Sequence, residues 1–188
     1  MAYINIASLR LCTESEGPGK RLALWVQGCE RRCPGCCNPE MQEIKRNVVV
    51  DTKDLINIIR QSKEGNDIEG LSFIGGEPFL QACGLAEIAK WAHVEGLSVL
   101  IFTGYLLEEL REMNNPDVDS LLQCTDILVD GPFIEEQYDN ERDWIGSTNQ
   151  RVHFLSDTYK KGIEYQNNRH QMEVLVSEQD ILINGWPY

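Results

Sequence analysis

The chain has 188 residues, 42% of them hydrophobic, and its 30 acidic against 17 basic side chains give a formal charge of -13. That length and composition point to one globular domain with a sizeable core, and the charge excludes the basic stripe that a nucleic-acid partner would require. No stretch approaches the roughly 18 apolar residues of a membrane span, and MAYINIASLRLC lacks the basic-then-apolar layout of a signal peptide, so a cytoplasmic location without a membrane partner is expected. The charge is uneven. Residues 1–50 carry seven Lys/Arg and five Asp/Glu, whereas residues 51–188 carry ten and 25. Lys20, Arg21, Arg31, Arg32, Lys45 and Arg46 read as ordinary solvated charges, or as groups that offset thiolate charge or receive an acidic electron donor.

In chain order, Tyr3, Asn5 and Ala7 alternate with Ile4, Ile6 and Ser8, as in a strand. RLALWVQ (residues 21–27) is an apolar run consistent with a buried strand. DTKDLINIIRQS (51–62) predicts an amphipathic helix capped by Asp51 or Thr52, with Leu55, Ile58 and Ile59 on one side. Then follow the strand LSFI (71–74), the turn GGEP, a helix from about Phe79 to Val94, and the strand LSVLIF (97–102). After TGY come the helix LLEELREM, the breaker NNPD, the short helix VDSLLQ and the strand DILVDG (126–131). Residues 139–149 read as a loop and QRVHFL as a further strand. The tail resumes alternation in MEVLV and DILI, separated by SEQ, as a hairpin closing at NGWPY. The order predicts an α/β fold: a partial, open β/α barrel with a mainly parallel sheet, right-handed crossovers and a short C-terminal hairpin-like extension. Residues 1–155 form the barrel with a cysteine loop at 28–40, and 156–188 form an extension packed on the same domain. Functional groups are expected at the carboxyl ends of the strands, where GCERRCPGC, GGEP, TGY and DGPF fall.

Four of seven cysteines occupy nine positions, spaced Cys29-x3-Cys33-x2-Cys36 with Cys37 adjacent. A reducing compartment and an odd count argue against disulfides. Pro34 and Gly35 suit the centre of a tight turn that turns Cys33 and Cys36 toward one centre. A structural zinc site wants four ligands, and Cys37 is strained as the fourth by its adjacency to Cys36. His93, His153 and His170 lack ligand spacing. A [4Fe-4S] cluster on three thiolates, with one iron left open, matches better. Zinc and free thiols remain alternatives on spacing alone. In GGEP, Gly75 and Gly76 permit close approach of a ligand and Glu77 can accept from an ammonium group, although the glycines could equally turn the chain and Pro78 open a helix.

Cys29-x3-Cys33-x2-Cys36 followed by GGEP resembles the radical S-adenosylmethionine (AdoMet) superfamily. EGPGKRLALWVQGCERRCPGCCNPE, LSFIGGEP, VLIFTGYLLEEL, DILVDGPF and IGSTNQRVHFL resemble, in order, the activating proteins of anaerobic ribonucleotide reductase. The resemblance implies an enzyme with a radical AdoMet barrel and a [4Fe-4S] cluster on Cys29, Cys33 and Cys36. AdoMet would chelate the open iron, with its ammonium held by Gly75, Gly76, Glu77 and Pro78. It further implies pocket roles for Thr103, Gly104 and Tyr105, and a monovalent cation on Asp130 assisted by Thr103, against a plain turn at Asp130-Gly131. Asn149 and Gln150 would contact the nucleoside or satisfy loop backbone. The implied partners are a glycyl-radical enzyme and an external one-electron donor such as a flavodoxin. Trp25 and Trp144 are expected to pack. Cys37 stands where the family commonly has an aromatic residue and is expected to pack as a small apolar group or to be a spare thiol. Alternative readings are a radical AdoMet enzyme acting on another glycyl-radical enzyme, a peptide or a small molecule, and a non-catalytic iron–sulfur or zinc module.

Overall fold

The computed structural model describes residues 2–166, 172–176 and 181–185. The expected SEQ turn, the last three residues of NGWPY and His170 lie outside the described residues. Strand β1 (Tyr3–Thr13) pairs antiparallel with β2 (Arg21–Val26), and β3 (Val48–Asp51) pairs antiparallel with the other side of β1. From β2 the sheet continues through the parallel strands β4 (Gly70–Gly75), β5 (Ser98–Phe102) and β6 (Ile127–Asp130). Strand β7 (Arg151–Phe154) runs antiparallel to β6 at the far edge. The order β3-β1-β2-β4-β5-β6-β7 is thus a mixed sheet, parallel in its centre and antiparallel at both margins. The expectation of a mainly parallel sheet holds for the four strands that carry the motifs and is corrected at the edges. The link from Thr13 to Arg21 is too short for the helical crossover a parallel pair needs, so β1 must run back against β2. Strand β3 was not expected, because four half-exposed residues carry no usable alternation.

Helix α1 (Thr52–Asn66) begins at Asp51, whose side chain accepts from Lys53 N–H at 2.8 Å, and ends at Asp67 in the left-handed region, φ 58°. It runs four residues past the expected end, through Gly65 and Asn66, and stops where Asp67 takes the left-handed conformation. Pro78–Gln81 form a 3-10 turn before helix α2 (Ala82–Val94), so the helix starts later than expected. Helices α3 (Leu107–Glu112) and α4 (Pro116–Gln123) complete the next crossover. Alternate residues of the strands divide the molecule. Leu24, Phe73, Ile101 and Leu128 join the core formed with Leu55, Ile59, Leu85, Ile88 and Leu121 of the helices. Trp25, Leu100, Phe102 and Val129 belong to smaller clusters that include Met41, Ile145 and Trp144. The helices therefore pack on one face of an open sheet. The opposite face is left for a cavity.

The tail forms the expected hairpin, β8 (Met172–Val176) against β9 (Ile181–Gly185). It is tied to the end of β1: Glu14 N–H donates to Glu173 Oε1 at 2.8 Å and Gly185 N–H to Glu16 Oε1 at 2.8 Å. Among the described residues, no helix is long and apolar enough to cross a membrane.

Candidate active site

The cysteine loop leaves the carboxyl end of β2 and is drawn shut at its base. Gly28 N–H donates to Met41 O at 2.8 Å and Cys29 N–H to Gln42 O at 3.0 Å. Inside it, Cys36 N–H donates to Cys33 O at 3.3 Å across Pro34 and Gly35, with Gly35 at φ 69°. This is the tight turn the sequence implies. Cys29, Cys33 and Cys36 are free, half-buried thiols that line one cavity of about 820 Å³, a volume suited to a cofactor. The Cys36 thiol is lowered to about 6, chiefly by a hydrogen bond from Cys37 and also by Asn38 N–H, against its burial. Burial pushes Cys29 up. Cys37 does not pack as an apolar residue; it is exposed. Among the described residues, no three His, Cys, Asp or Glu side chains gather as a single metal ion would need. Cys37 lines the same cavity, so four free thiols stand on its wall, a donor set suited to the thiolate ligation of an iron–sulfur cluster.

The GGEP turn is joined to this loop through the backbone. Gly76 N–H donates to Val26 O and Glu77 N–H to Gly28 O, each at 2.8 Å. A Cβ on Gly76 would lie 2.2 Å from Gly28 O, so the two loops meet this closely only because residue 76 is glycine. Glu77 is 1% exposed and accepts from Phe79 N–H at 3.0 Å, Thr103 Oγ1 at 2.8 Å and Gly104 N–H at 2.9 Å. Burial raises its carboxyl to about 7, with these hydrogen bonds opposing. One carboxylate thus binds the exit of β4 to the exit of β5 while lining the cavity with Gly75, Gly76, Thr103 and Gly104.

A family model described as a 4Fe-4S single cluster domain matches residues 15–153. An anaerobic ribonucleoside-triphosphate reductase-activating protein of Vibrio cholerae serotype O1 is 34% identical over 151 residues, covering 73% of this chain and 89% of the relative. Counterparts from Salmonella typhimurium and Escherichia coli are each 33% identical, over 153 and 154 residues, covering 74% of this chain and 91% of the relative. The chain belongs to the anaerobic ribonucleoside-triphosphate reductase-activating protein family. As a member it is an enzyme of the radical AdoMet type, with a [4Fe-4S] cluster and AdoMet as cofactors.

Within this family frame, the remaining expected residues divide. Thr103 Oγ1 also accepts from Tyr105 N–H at 3.1 Å. Tyr105 lies beneath the Arg31 guanidinium, 4.1 Å from its ring centre, and is not part of the cavity wall. Pro78 is buried at the start of the 3-10 turn, where it serves the backbone. Asp130 is fully buried and away from the cavity wall. It accepts from Leu107 N–H at 2.7 Å and from Arg151, with His153 Nε2 at 2.9 Å. Burial raises its carboxyl, but these partners outweigh it and hold the group below its ordinary value. Gln150 Oε1 accepts from Gly146 and Ser147 N–H at 3.1 and 3.0 Å, the loop-satisfying role. Asn149 donates to Pro132 O at 2.8 Å, and its buried Oδ1 has no partner among the described residues.

Of the two expectations for Arg31, a solvated charge or one set near the thiols, the structure favours the second: it pairs with Glu109, stacks on Tyr105 and lines the cavity with the cysteines. Arg21, read the same way, is fully buried. Glu16 and Asn184, which also line the cavity, gave no sequence signal.

Proposed function

We propose that this chain installs a glycyl radical on anaerobic ribonucleotide reductase, using a [4Fe-4S] cluster held by Cys29, Cys33 and Cys36 with one iron open to AdoMet. The observation that carries the reading is the Gly76–Gly28 backbone junction, which sets the glycine turn against the cysteine loop on one cavity. Held there, the cluster and AdoMet would supply one-electron chemistry, with an external electron, for hydrogen abstraction from the partner's glycine.

The chain's own groups bind, orient and shield. Gly75 and Gly76 let the turn close on β2 and the cysteine loop at the cavity wall, and Glu77, held by three donors, keeps an acceptor position for the methionyl ammonium. Arrival of that cation favours the ionised carboxylate, whose proton affinity burial has raised. Thr103 and Gly104 fix Glu77 from the next strand. Asp130 and Arg151 act behind them, since Asp130 holds Leu107 N–H and Gly131 N–H reaches Tyr105 O at 3.0 Å. A positioning role replaces the expected cation site in this reading. Gln150 is on the cavity wall but already accepts from Gly146 and Ser147 N–H, and Asn149 lies off the wall, so neither is assigned to the nucleoside. The open sheet, with helices on one face and the cavity on the other, acts as a partial radical AdoMet barrel in the cytoplasm. The electron comes from an external donor such as a flavodoxin, attracted by the exposed Arg32, Lys45 and Arg46.

The test is anaerobic reconstitution with iron and sulfide, followed by dithionite and AdoMet. About four irons per chain and formation of 5′-deoxyadenosine are expected. Full cleavage by Cys29→Ala, Cys33→Ala or Cys36→Ala would remove the ligand assignment.

A further inference from the structure

Three cysteines are enough for the proposed cluster, yet a fourth, Cys37, shares their cavity wall. Side chains of adjacent residues in an extended chain point to opposite sides. Residue 37 sits instead at a bend, and Asn38 reaches both neighbouring sulfurs. Its backbone N–H donates to Cys36 Sγ and its Nδ2 to Cys37 Sγ, each at 3.4 Å. The bend thus presents two consecutive thiols to one cavity. N–H donors on sulfur are the surroundings of a metal-bound thiolate, where they orient the ligand and tune the cluster. Cys37 is exposed, so packing among apolar neighbours does not account for its place.

Clusters of the [4Fe-4S] type normally take four thiolates. With three, one iron is held by fewer bonds than its neighbours, and before AdoMet arrives it takes the best donor within reach. Glu16, Glu40 and Glu77 also line the cavity. Carboxylate oxygen suits harder cations, whereas thiolate suits iron–sulfur clusters. Glu77 is moreover engaged by Phe79 N–H, Thr103 Oγ1 and Gly104 N–H. Cys37 is the thiol that remains on the wall. Its adjacency to Cys36 leaves one peptide unit between two ligands of one cluster, and the resulting strain makes it the weakest-held of the four. Cys29, Cys33 and Cys36, spaced by four and three residues, carry no such strain. A chelating molecule can displace a strained single ligand while leaving the other three in place.

Resting on the three-cysteine assignment of the proposed function, we propose that Cys37 is a displaceable fourth ligand, which caps the open iron while AdoMet is absent and leaves when AdoMet binds. Cys37 departs as a thiolate, keeping the electron pair of its bond to iron, and takes up the proton that an ammonium must lose to bind a metal. No electron is transferred in the exchange. The test compares the reconstituted full-length chain with Cys37→Ala and Cys37→Ser. AdoMet binding is read by calorimetry, and loss of one iron by the three-iron electron paramagnetic resonance signal that appears on titration with ferricyanide. Cys37→Ala should bind AdoMet about tenfold more tightly than the wild-type chain, the factor for a site capped about nine-tenths of the time. Without AdoMet it should lose the open iron severalfold faster, and with saturating AdoMet at the wild-type rate. Cys37→Ser, a harder donor, should fall between the two. AdoMet binding to Cys37→Ala that is unchanged or weaker would overturn the proposal, whatever the rate of iron loss. About four irons retained by Cys36→Ala would make Cys37 a permanent ligand, and would overturn both the proposal and the three-cysteine assignment. No iron uptake by the wild-type chain would remove the proposed function, and this proposal with it.

Discussion

Glu77 and Arg21 are both buried to the last few per cent of their surface, at opposite ends of the parallel strands, and they are held in different ways. Arg21 opens β2 at its amino end. Its Nε donates to Ser72 Oγ at 2.8 Å, and its other nitrogens to Pro18 O, Leu71 O, Ser98 and the Tyr159 hydroxyl. Every N–H has an acceptor, and among the described residues no carboxylate pairs with it. Burial pushes the guanidinium below its ordinary value, with the Tyr159 contact opposing. Glu77, past the carboxyl end of β4, is held by backbone N–H groups and one hydroxyl from the motif loops, and it still faces a cavity. A saturated charge closes a fold, whereas a charge held but still accessible is placed for a ligand. The two ends of one sheet are thus specialised, the amino end for stability and the carboxyl end for chemistry.

The largest effect that would sharpen this division is at the cysteines. Cys33→Ala should reduce AdoMet cleavage to background while changing the stability of the cluster-free chain by under about 1 kcal/mol, as for a substitution outside the core. Large unfolding by that change would break the division. Arg21→Met should do the reverse: unfolding in urea should show a loss of about 4 kcal/mol, because a buried network is left without its donors. The folded fraction should keep its AdoMet affinity.

Glu77 gives a pH signature. Its folded value of about 7 lies above the ordinary 4.5, so the native state holds the proton more tightly than the unfolded chain. Stability should therefore fall as pH rises from 4.5 to 7 and level off above, by roughly 3 kcal/mol from this group. Glu77→Gln should flatten that decline in urea midpoints of the cluster-free chain, leaving the part due to Glu16, which burial also raises to about 7. An unchanged slope would remove Glu77 as its source. The smallest effect is expected at Arg151→Ala, about 1 kcal/mol at pH 7, since Arg151 is half-exposed while bridging Asp130 and Glu108. The difference should narrow in acid, as Asp130 is protonated below its ordinary range.

What was legible in the sequence was local. Cys29, Cys33 and Cys36 lie within one loop, and GGEP follows an apolar strand, so spacing and turn chemistry were enough to suggest them. Central strands read well because continuous burial leaves an apolar run. What was hidden depends on chain crossings. Arg31 is told from Arg32 only by Tyr105 and Glu109, more than 70 residues away. The pairing of Asp130 with Arg151 joins neighbouring strands and leaves no mark in local spacing. Asn184 gains meaning only where the tail returns to Thr13 and Ser15.

The most direct test of the central claim mixes the reconstituted chain, reductant and AdoMet with its cognate anaerobic reductase and records the electron paramagnetic resonance spectrum. A glycyl doublet on the reductase, with one 5′-deoxyadenosine formed per radical and none with Cys33→Ala, is the predicted result. AdoMet cleavage without any glycyl signal on the reductase would contradict the account.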